Sequence, residues 1–282
     1  LSATTSNSEA SSGADVIVVI VPMYVDENGV PDYSILESAS RDIGAVLTPG
    51  QTVIYETTLP VGATRSRLAP VLEESSGLTA GEDFHVVHSP ERVFSGRIFE
   101  DLKNYPKIVG GLTPLCGQIA VSFYEAVLNF DERPDLVQPN GVWDLGSVEA
   151  AEFTKLAETT YRDVNIALAN EFGDFAERLG VDVYQVIDAA NSQPFSHIHR
   201  PGIYVGGHCI PVYPRFYSSV DEAALLPPLA REVNDAGPER AVRAEQPVLP
   251  GDPRPNQHLS GADPAVGRAD LCHLCSRSRP VG

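Results

Sequence analysis

Residues 202–214 read GIYVGGHCIPVYP, which sets Cys209 between a glycine pair and two prolines. A thiol in this setting has three uses: half of a disulfide, a small buried hydrophobe, or a nucleophile held on a rigid turn. A nucleophilic cysteine must act as thiolate, and its pKa of about 8.5 falls near helix N-termini and cations. Gly206 and Gly207 permit backbone angles and close approaches closed to other residues. Pro211 and Pro214 predict a helix start just beyond them, which sets the sulfur at the positive end of a helix dipole. In AEFTKLAETTYRDVNIALANEF, helical spacing stacks Lys155, Thr159 and Arg162 on one face, beside an apolar stripe of Leu156, Val164 and Ala167. Lys155 is the only lysine after residue 107 and could stabilise an oxyanion. Arg162 and Glu158 read as a solvated face. TTLPVG (57–62) and HSPERVFSGR (88–97) each follow a strand signal directly, at the edge of a parallel sheet where ligands bind. Thr58 and Glu91 there could position a water or accept a proton; ordinary capping of a βα turn is the alternative. Cys272 and Cys275 (CHLC) resemble half a zinc site, but with only His258 and His273 nearby they fall short of a tetrahedral set, and no metal is expected.

The elements that must position these residues are legible as pattern. Asp15–Val21, Thr52–Thr57, His85–His88 and Lys107–Val109 read as strands, the first apolar on both faces as buried parallel strands are. Between them lie three helical stretches: PDYSILESASRDIGAVL, with Pro31 suited to a first helical position, GATRSRLAPVLEESSG and TPLCGQIAVSFYEAVL. That alternation implies a parallel sheet covered by helices. After the loop NFDERPDLVQPNGVWDLG the pattern turns helical. Ser147 to Leu179 predicts a long helix closed by Gly180, Asp182 caps a shorter one through Ala190, and another runs from Asp221 to Asp235, kinked or broken by Pro227 and Pro228. The fold class is α/β: a partial Rossmann-like parallel sheet over 1–138, a mainly helical central domain over 139–242, and a disordered, proline-rich tail over 243–282.

Composition narrows the partners. The chain has 282 residues, 43% of them hydrophobic, enough for a sizeable core. A formal charge of -18 with three lysines, Lys103, Lys107 and Lys155, repels phosphate backbones and anionic lipid. Nucleic-acid and membrane partners are excluded on that ground, and such acidity suits a high-salt cytosol. No apolar run approaches the roughly 20 residues that span a bilayer, and the N-terminal stretch lacks the features of a signal peptide, so the expected place is the cytoplasm. Four scattered cysteines argue against structural disulfides and leave Cys209 a free thiol.

Taken together, SPERVFSG, KIVGGLTP, KLAETTYRDVNIALANEF, PGIYVGGHCIPVYPRF and AREVND, in this order, resemble the NAD-dependent UDP-glucose/GDP-mannose dehydrogenase family. They look most like the branch that oxidises acetamido sugars such as UDP-N-acetylmannosamine. The resemblance runs over roughly residues 3–242 and rests on several separate strings. It implies NAD as cofactor, a UDP-sugar as substrate and a homodimer built on the long central helix. It assigns the nucleophile to Cys209, the oxyanion cation to Lys155, the general base to Glu91 and the water-holding partner to Thr58. It further implies cofactor contacts at Pro22, Thr58 and Glu91, and substrate contacts at Arg162, Asn165, His199, Arg200, Gly206 and Gly207. A thiol suits this chemistry because an aldehyde must be held as a hemithioacetal to give up hydride, and the resulting negative oxygen needs a fixed cation.

Two positions depart from the family motif: Thr159 stands where asparagine is usual, and Tyr213 where aspartate is common. Threonine can still donate a hydrogen bond, whereas tyrosine cannot replace a carboxylate near neutral pH. No G-x-G-x-x-G occurs, so the chain is expected to begin late in the dinucleotide domain and to lack the family's third domain. Two rival readings follow, a catalytically silent dimerisation module and a thiol hydrolase pairing Cys209 with a histidine such as His208.

Overall fold

The computed structural model describes residues 2–26, 28–207 and 209–239. The expected tail at 243–282, with its CHLC pair, and His208 lie outside the described residues. The chain opens with α1 (Asn7–Ser11), β1 (Val16–Val19), a hairpin of β2 (Tyr24–Val25) and β3 (Pro31–Asp32), and α2 (Ser34–Gly44). Next come β4 (Thr52–Tyr55), a π-helical turn (Thr64–Leu68) that continues as α3 (Ala69–Ser76), β5 (His85–His88) and α4 (Ile98–Asn104). Then follow β6 (Lys107–Gly111), α5 (Pro114–Val127) and β7 (Val142–Asp144). The rest is helical: α6 (Val148–Leu179), α7 (Val183–Ala190), α8 (Cys209–Ser218) and α9 (Leu226–Asp235).

One sheet holds five strands in the order β1-β4-β5-β6-β7. β1, β4 and β5 are parallel, with Val16 opposite Thr52 and Thr52 opposite His85. Every residue of β4 is buried, as a central strand covered on both faces must be. Alternation divides the apolar side chains: Val53, Tyr55 and Val86 join one core cluster, while Ile54, Val87 and Val109 pack on Cys116, Ala120 and Tyr124 of α5. β7 is parallel to β6, but β6 runs antiparallel to β5, a departure from the uniformly parallel order. The segment 89–106 carries only the short α4 and turns back along the edge where β5 ended. That reversal brings Lys107, the first residue of β6, to the same edge.

Three further expectations give way. Pro31 opens no helix; β2 and β3 pair as a hairpin whose Gly29 has φ +80 and donates to Asp26 O, and Pro31 sits on a two-residue edge strand, where its missing N–H costs no ladder bond. The loop 129–146 contains β7. The last helix begins at Leu226 rather than Asp221, with proline in its first turn.

The long helix forms as its ends dictate. Ser147 accepts from Ala150 N at 3.2 Å, and Gly180 closes the other end at φ +67. α9 is clamped to α6 by buried polar groups: Asp163 accepts from Arg231 at 2.7 Å and Asn234 at 2.8 Å, and Asn170 donates to Asn234 at 3.0 Å. Burial pushes the Asp163 carboxyl up, and Arg231 opposes this. Among the described residues no helix is long and apolar enough to cross a membrane.

Candidate active site

Thr58 and Glu91 each stand three residues beyond a parallel strand, β4 and β5, and so share one sheet edge. The two loops are joined by Glu91 N donating to Glu56 O at 3.1 Å. Pro22 lies exposed beyond β1 on the same edge. Glu91 is half-buried and fully engaged: Oε1 accepts from Arg92 N and Val93 N at 2.6 and 2.9 Å, and Oε2 from Lys107 Nζ at 3.1 Å. Burial raises its pKa, but Lys107 and the two N–H groups outweigh that and hold the carboxyl below its ordinary range. Lys107 also donates to Glu56 at 2.7 Å, and Tyr124 donates to the same Glu56 oxygen at 2.5 Å.

Helix α6 receives both loops on one face. Glu152, fully buried, accepts from Gly62 N at 2.5 Å and Thr64 N at 2.8 Å, which fixes the turn that follows Thr58. One turn on, Lys155 is buried; burial lowers its pKa, and the negative charges of Glu158 and Cys209 act against that. One turn further, Glu158 accepts from Arg92 at 2.9 Å and so docks the Glu91 loop. The spacing of Glu152, Lys155 and Glu158 keeps all three on adjoining turns.

Cys209 enters from α8, where it is the first helical residue, and it is exposed. The expected helix start beyond Pro211 is thus corrected: both prolines fall inside α8, and the cysteine itself occupies its positive end. Tyr213, one turn along, is half-buried against Phe216, with ring centroids 5.6 Å apart. Burial pushes its phenol up to about 12, with Thr58 opposing the rise and Cys209 adding to it. Cys209 and Tyr213 on α8, Lys155 on α6 and Thr58 beyond β4 thus come from three separate stretches of chain.

The remaining sequence-predicted residues divide. Thr159 is buried beside Lys155, yet its hydroxyl donates back to Lys155 O at 2.9 Å and Leu156 O at 3.2 Å, so its hydrogen goes to its own helix. Arg162 is exposed, 4.0 Å from Glu158. Asn165 pins the 197–199 segment, donating to His197 O at 2.6 Å and accepting from His199 N at 2.9 Å. Burial and then Arg162 lower the pKa of His199, which favours its neutral ring. Arg200 is turned to α7, bonded to Asp188 at 2.6 Å over the Tyr184 ring. Gly207 has φ +82, a left-handed angle that favours glycine, but a Cβ at Gly206 or Gly207 would meet nothing within 4 Å. Among the described residues no neighbour approaches either glycine that closely, and the backbone angle favours glycine at 207. Sequence reasoning missed Glu152, although its place three residues before Lys155 put it on the same helix face. It also missed Lys107, one of only three lysines.

The α/β sheet thus brings a cysteine, a buried lysine and a carboxylate toward its strand ends, and comparison with known proteins places the chain in a family. Residues 1–128 match the NAD binding domain of the UDP-glucose/GDP-mannose dehydrogenase family, and residues 149–236 match its central domain. The chain belongs to that family. It is 40% identical over 237 residues to UDP-N-acetyl-D-mannosamine dehydrogenase of Pyrococcus horikoshii, a match covering 83% of this chain and 53% of the relative. It is 38% identical over 251 residues to NDP-N-acetyl-D-galactosaminuronic acid dehydrogenase of Ralstonia solanacearum, covering 84% and 57%. The solved structure of UDP-D-ManNAc dehydrogenase from P. horikoshii superposes with a TM-score of 0.76 over 84% of this chain and 54% of that one, at 38% identity. The chain spans about half the length of the curated relatives it matches.

Proposed function

We propose that the chain carries the catalytic core for NAD-dependent oxidation of the C6 hydroxyl of a UDP-linked acetamido sugar, UDP-N-acetylmannosamine, to the uronate. The observation that carries this reading is the nearness of Cys209, at the positive end of α8, to the buried Lys155, whose charge it acts on. The names of the most similar relatives support an acetamido sugar. Pro22, Thr58 and Glu91 would line the cofactor at the edge where β1, β4 and β5 end, and NAD supplies the hydride acceptor for each oxidation. The residues present fit that role at the strand ends, whereas no G-x-G-x-x-G is present to cradle a pyrophosphate. The division into a dinucleotide domain over 1–138 and a helical domain over 139–242 belongs to the same reading.

The chemistry follows from the side chains. The Cys209 thiolate adds to the C6 aldehyde carbon, a C–S bond forms, and the carbonyl electron pair moves to oxygen, where the Lys155 ammonium opposes its charge. Loss of hydride from C6 leaves a thioester on the same sulfur. Glu91, held ionised by Lys107, takes a proton from water as that water adds to the thioester carbon, with Thr58 orienting the water. The C–S bond then breaks, the uronate departs and Cys209 is restored. Arg162 and Asn165 on α6, with His199 and Arg200 on the stretch leading to the cysteine, would meet the nucleotide end of the substrate.

A homodimer is part of the proposal. Leu168, Phe172, Phe175 and Leu179 are exposed along α6 at spacings of four, three and four, an apolar stripe that a second copy would cover. The test is to supply NAD and UDP-N-acetylmannosamine to the chain and follow NADH and uronate together. A pair of NADH per uronate, abolished in Cys209→Ser, is expected; uronate formed equally by the variant overturns the mechanism.

A further inference from the structure

The mechanism uses Glu91 as a base but leaves Glu56, just beyond β4, without a part. Glu56 and Glu91 share one cation: Lys107 Nζ donates to Glu56 Oε1 at 2.7 Å and to Glu91 Oε2 at 3.1 Å. Lys107 is buried, and the side chain of Glu56 is 14% exposed against 36% for Glu91, so the ammonium sits closer to the carboxylate that water reaches less. Tyr124 of α5 donates to the same Glu56 oxygen at 2.5 Å, and its ring centroid lies 4.8 Å from Nζ. The main chain ties the two glutamates as well, since Glu91 N donates to Glu56 O at 3.1 Å. One ammonium cannot neutralise two carboxylates, so the cluster holds a negative charge in excess until a proton arrives.

We infer that Glu56 is a positioning residue for the Glu91 base: by sharing Lys107 it keeps the ammonium from pairing with Glu91 alone, and it retains that ammonium once Glu91 has taken a proton from water. The inference deepens the reading of Glu91 as general base and rests on it. Two carboxylates bridged by one ammonium lie within about 6 Å, where a like charge disfavours ionisation and leaves the base stronger than a plain lysine–glutamate pair would be. Lys107 and the N–H groups of Arg92 and Val93 still hold Glu91 below its ordinary range. Without the charge on Glu56 it would fall further, and a weaker base takes a proton from water more slowly. The proton balance closes within the cluster: water loses a proton to Glu91, Lys107 remains an ammonium, and Glu56 becomes its charged partner. Other groups around Glu91 are engaged elsewhere. Arg92 lies over the Tyr105 ring and donates to Glu158 of α6 at 2.9 Å. Asp101 of α4 accepts from Phe94 N at 2.9 Å and stands 3.3 Å from Arg97. His88, which ends β5, is neutral, because burial and then Lys107 push its pKa down to about 3. Burial and then Glu56 raise the Tyr124 phenol, which therefore stays a donor.

The test is a pH titration of the Glu91 carboxyl by NMR in the full chain, isotope-labelled at the glutamate carboxyl carbon. Glu91→Gln identifies the signal, and circular dichroism confirms that each variant is folded. Glu56→Gln keeps an oxygen for Tyr124 and Lys107 and removes only the charge. It should lower the Glu91 midpoint by on the order of one pH unit. Glu56→Asp, whose carboxylate is drawn back from Lys107, should move it the same way by less. Lys107→Met should do the opposite and raise the midpoint above 4.5, because burial and Glu56 then act without a cation. A Glu56 that served only to hold its loop would leave the midpoint in place. An unchanged midpoint in folded Glu56→Gln overturns the inference, and if that variant does not fold, an unchanged midpoint in Glu56→Asp does so. In an active chain, Glu56→Gln should also slow uronate release several-fold near neutral pH while KM for the sugar stays the same. A shifted midpoint in a chain that oxidises no UDP-sugar upholds the coupling and refutes the enzymatic reading; an unchanged midpoint in an active chain does the reverse.

Discussion

Glu152 couples the two halves of the site, and its titration offers a quantitative test of that geometry. The carboxyl is fully buried and meets Gly62 N and Thr64 N. Burial raises its pKa from 4.5 to about 7, while the two N–H groups act in the other direction. A rise of that size is worth about 3 kcal/mol between protonation states. Because the folded pKa lies above the unfolded one, the native state binds the proton more tightly. The stabilising contribution is complete below 4.5 and is lost as pH climbs through about 7. Glutamine mimics the neutral acid and does not titrate. Relative to the parent, Glu152→Gln should therefore gain on the order of 2–3 kcal/mol in unfolding free energy between about pH 5 and about pH 8. At the acidic end the two should differ only by the mismatch of one amide NH2 against a backbone N–H, about 1 kcal/mol or more in the parent's favour. Urea unfolding followed by circular dichroism at both pH values measures this, and the comparison cancels the titration of the other acidic residues. A parent-to-variant difference that stays constant across the range would show that Glu152 is not the buried carboxylate described here.

Other perturbations probe the elements around it. Arg231→Met leaves Asp163 buried without its cation and should cost about 3–5 kcal/mol in urea unfolding at neutral pH, whereas a change below about 1 kcal/mol would mean that the α6–α9 clamp bears little of the fold's stability. Lys107→Met strips the shared counter-charge from Glu56 and Glu91, at a cost of similar size. Glu91, with a depressed folded pKa, contributes stability above its ordinary titration range that is lost on acidification; that acid-side loss should shrink in the variant, and an unaltered slope would contradict the network. Gly207→Ala meets open space but a φ of +82, so thermal unfolding should register roughly 1–2 kcal/mol of backbone strain and no steric term.

What the sequence disclosed was what is encoded locally. Ser147 and Gly180 announce the ends of α6 because a cap acts on its own turn, and the apolar run DVIVVIV announces a strand, but not one buried on both faces: β1 stands at the sheet's edge, and its Val18 is exposed. Thr58 and Glu91 were legible because they follow strand signals directly. The hairpin at Pro31 was masked by a proline equally suited to a first helical turn, with the Asn28-Gly29 signal left unused. The antiparallel turn into β6 depends on how the segment 89–106 packs, which no periodicity records. Glu152 finds its partners at Gly62 and Thr64, 90 and 88 residues away, and Arg231 finds Asp163 68 residues away. Partnerships of that kind arise only once α6 meets the sheet edge and α9. The helix begins at Cys209 despite two prolines because a proline in the first turn loses no intrahelical bond, and only Pro214 removes a donor inside the helix.

The central claim is that one sulfur, at Cys209, holds the sugar carbon between the two oxidations. Incubating the chain with NAD and UDP-N-acetylmannosamine, quenching in acid and mapping peptides by mass spectrometry tests it directly. The account predicts a uronyl adduct on the peptide containing Cys209, absent when NAD is omitted and absent in Cys209→Ser. Uronate accumulating while that peptide stays unmodified in Glu91→Gln, the variant in which thioester hydrolysis should stall, would contradict it.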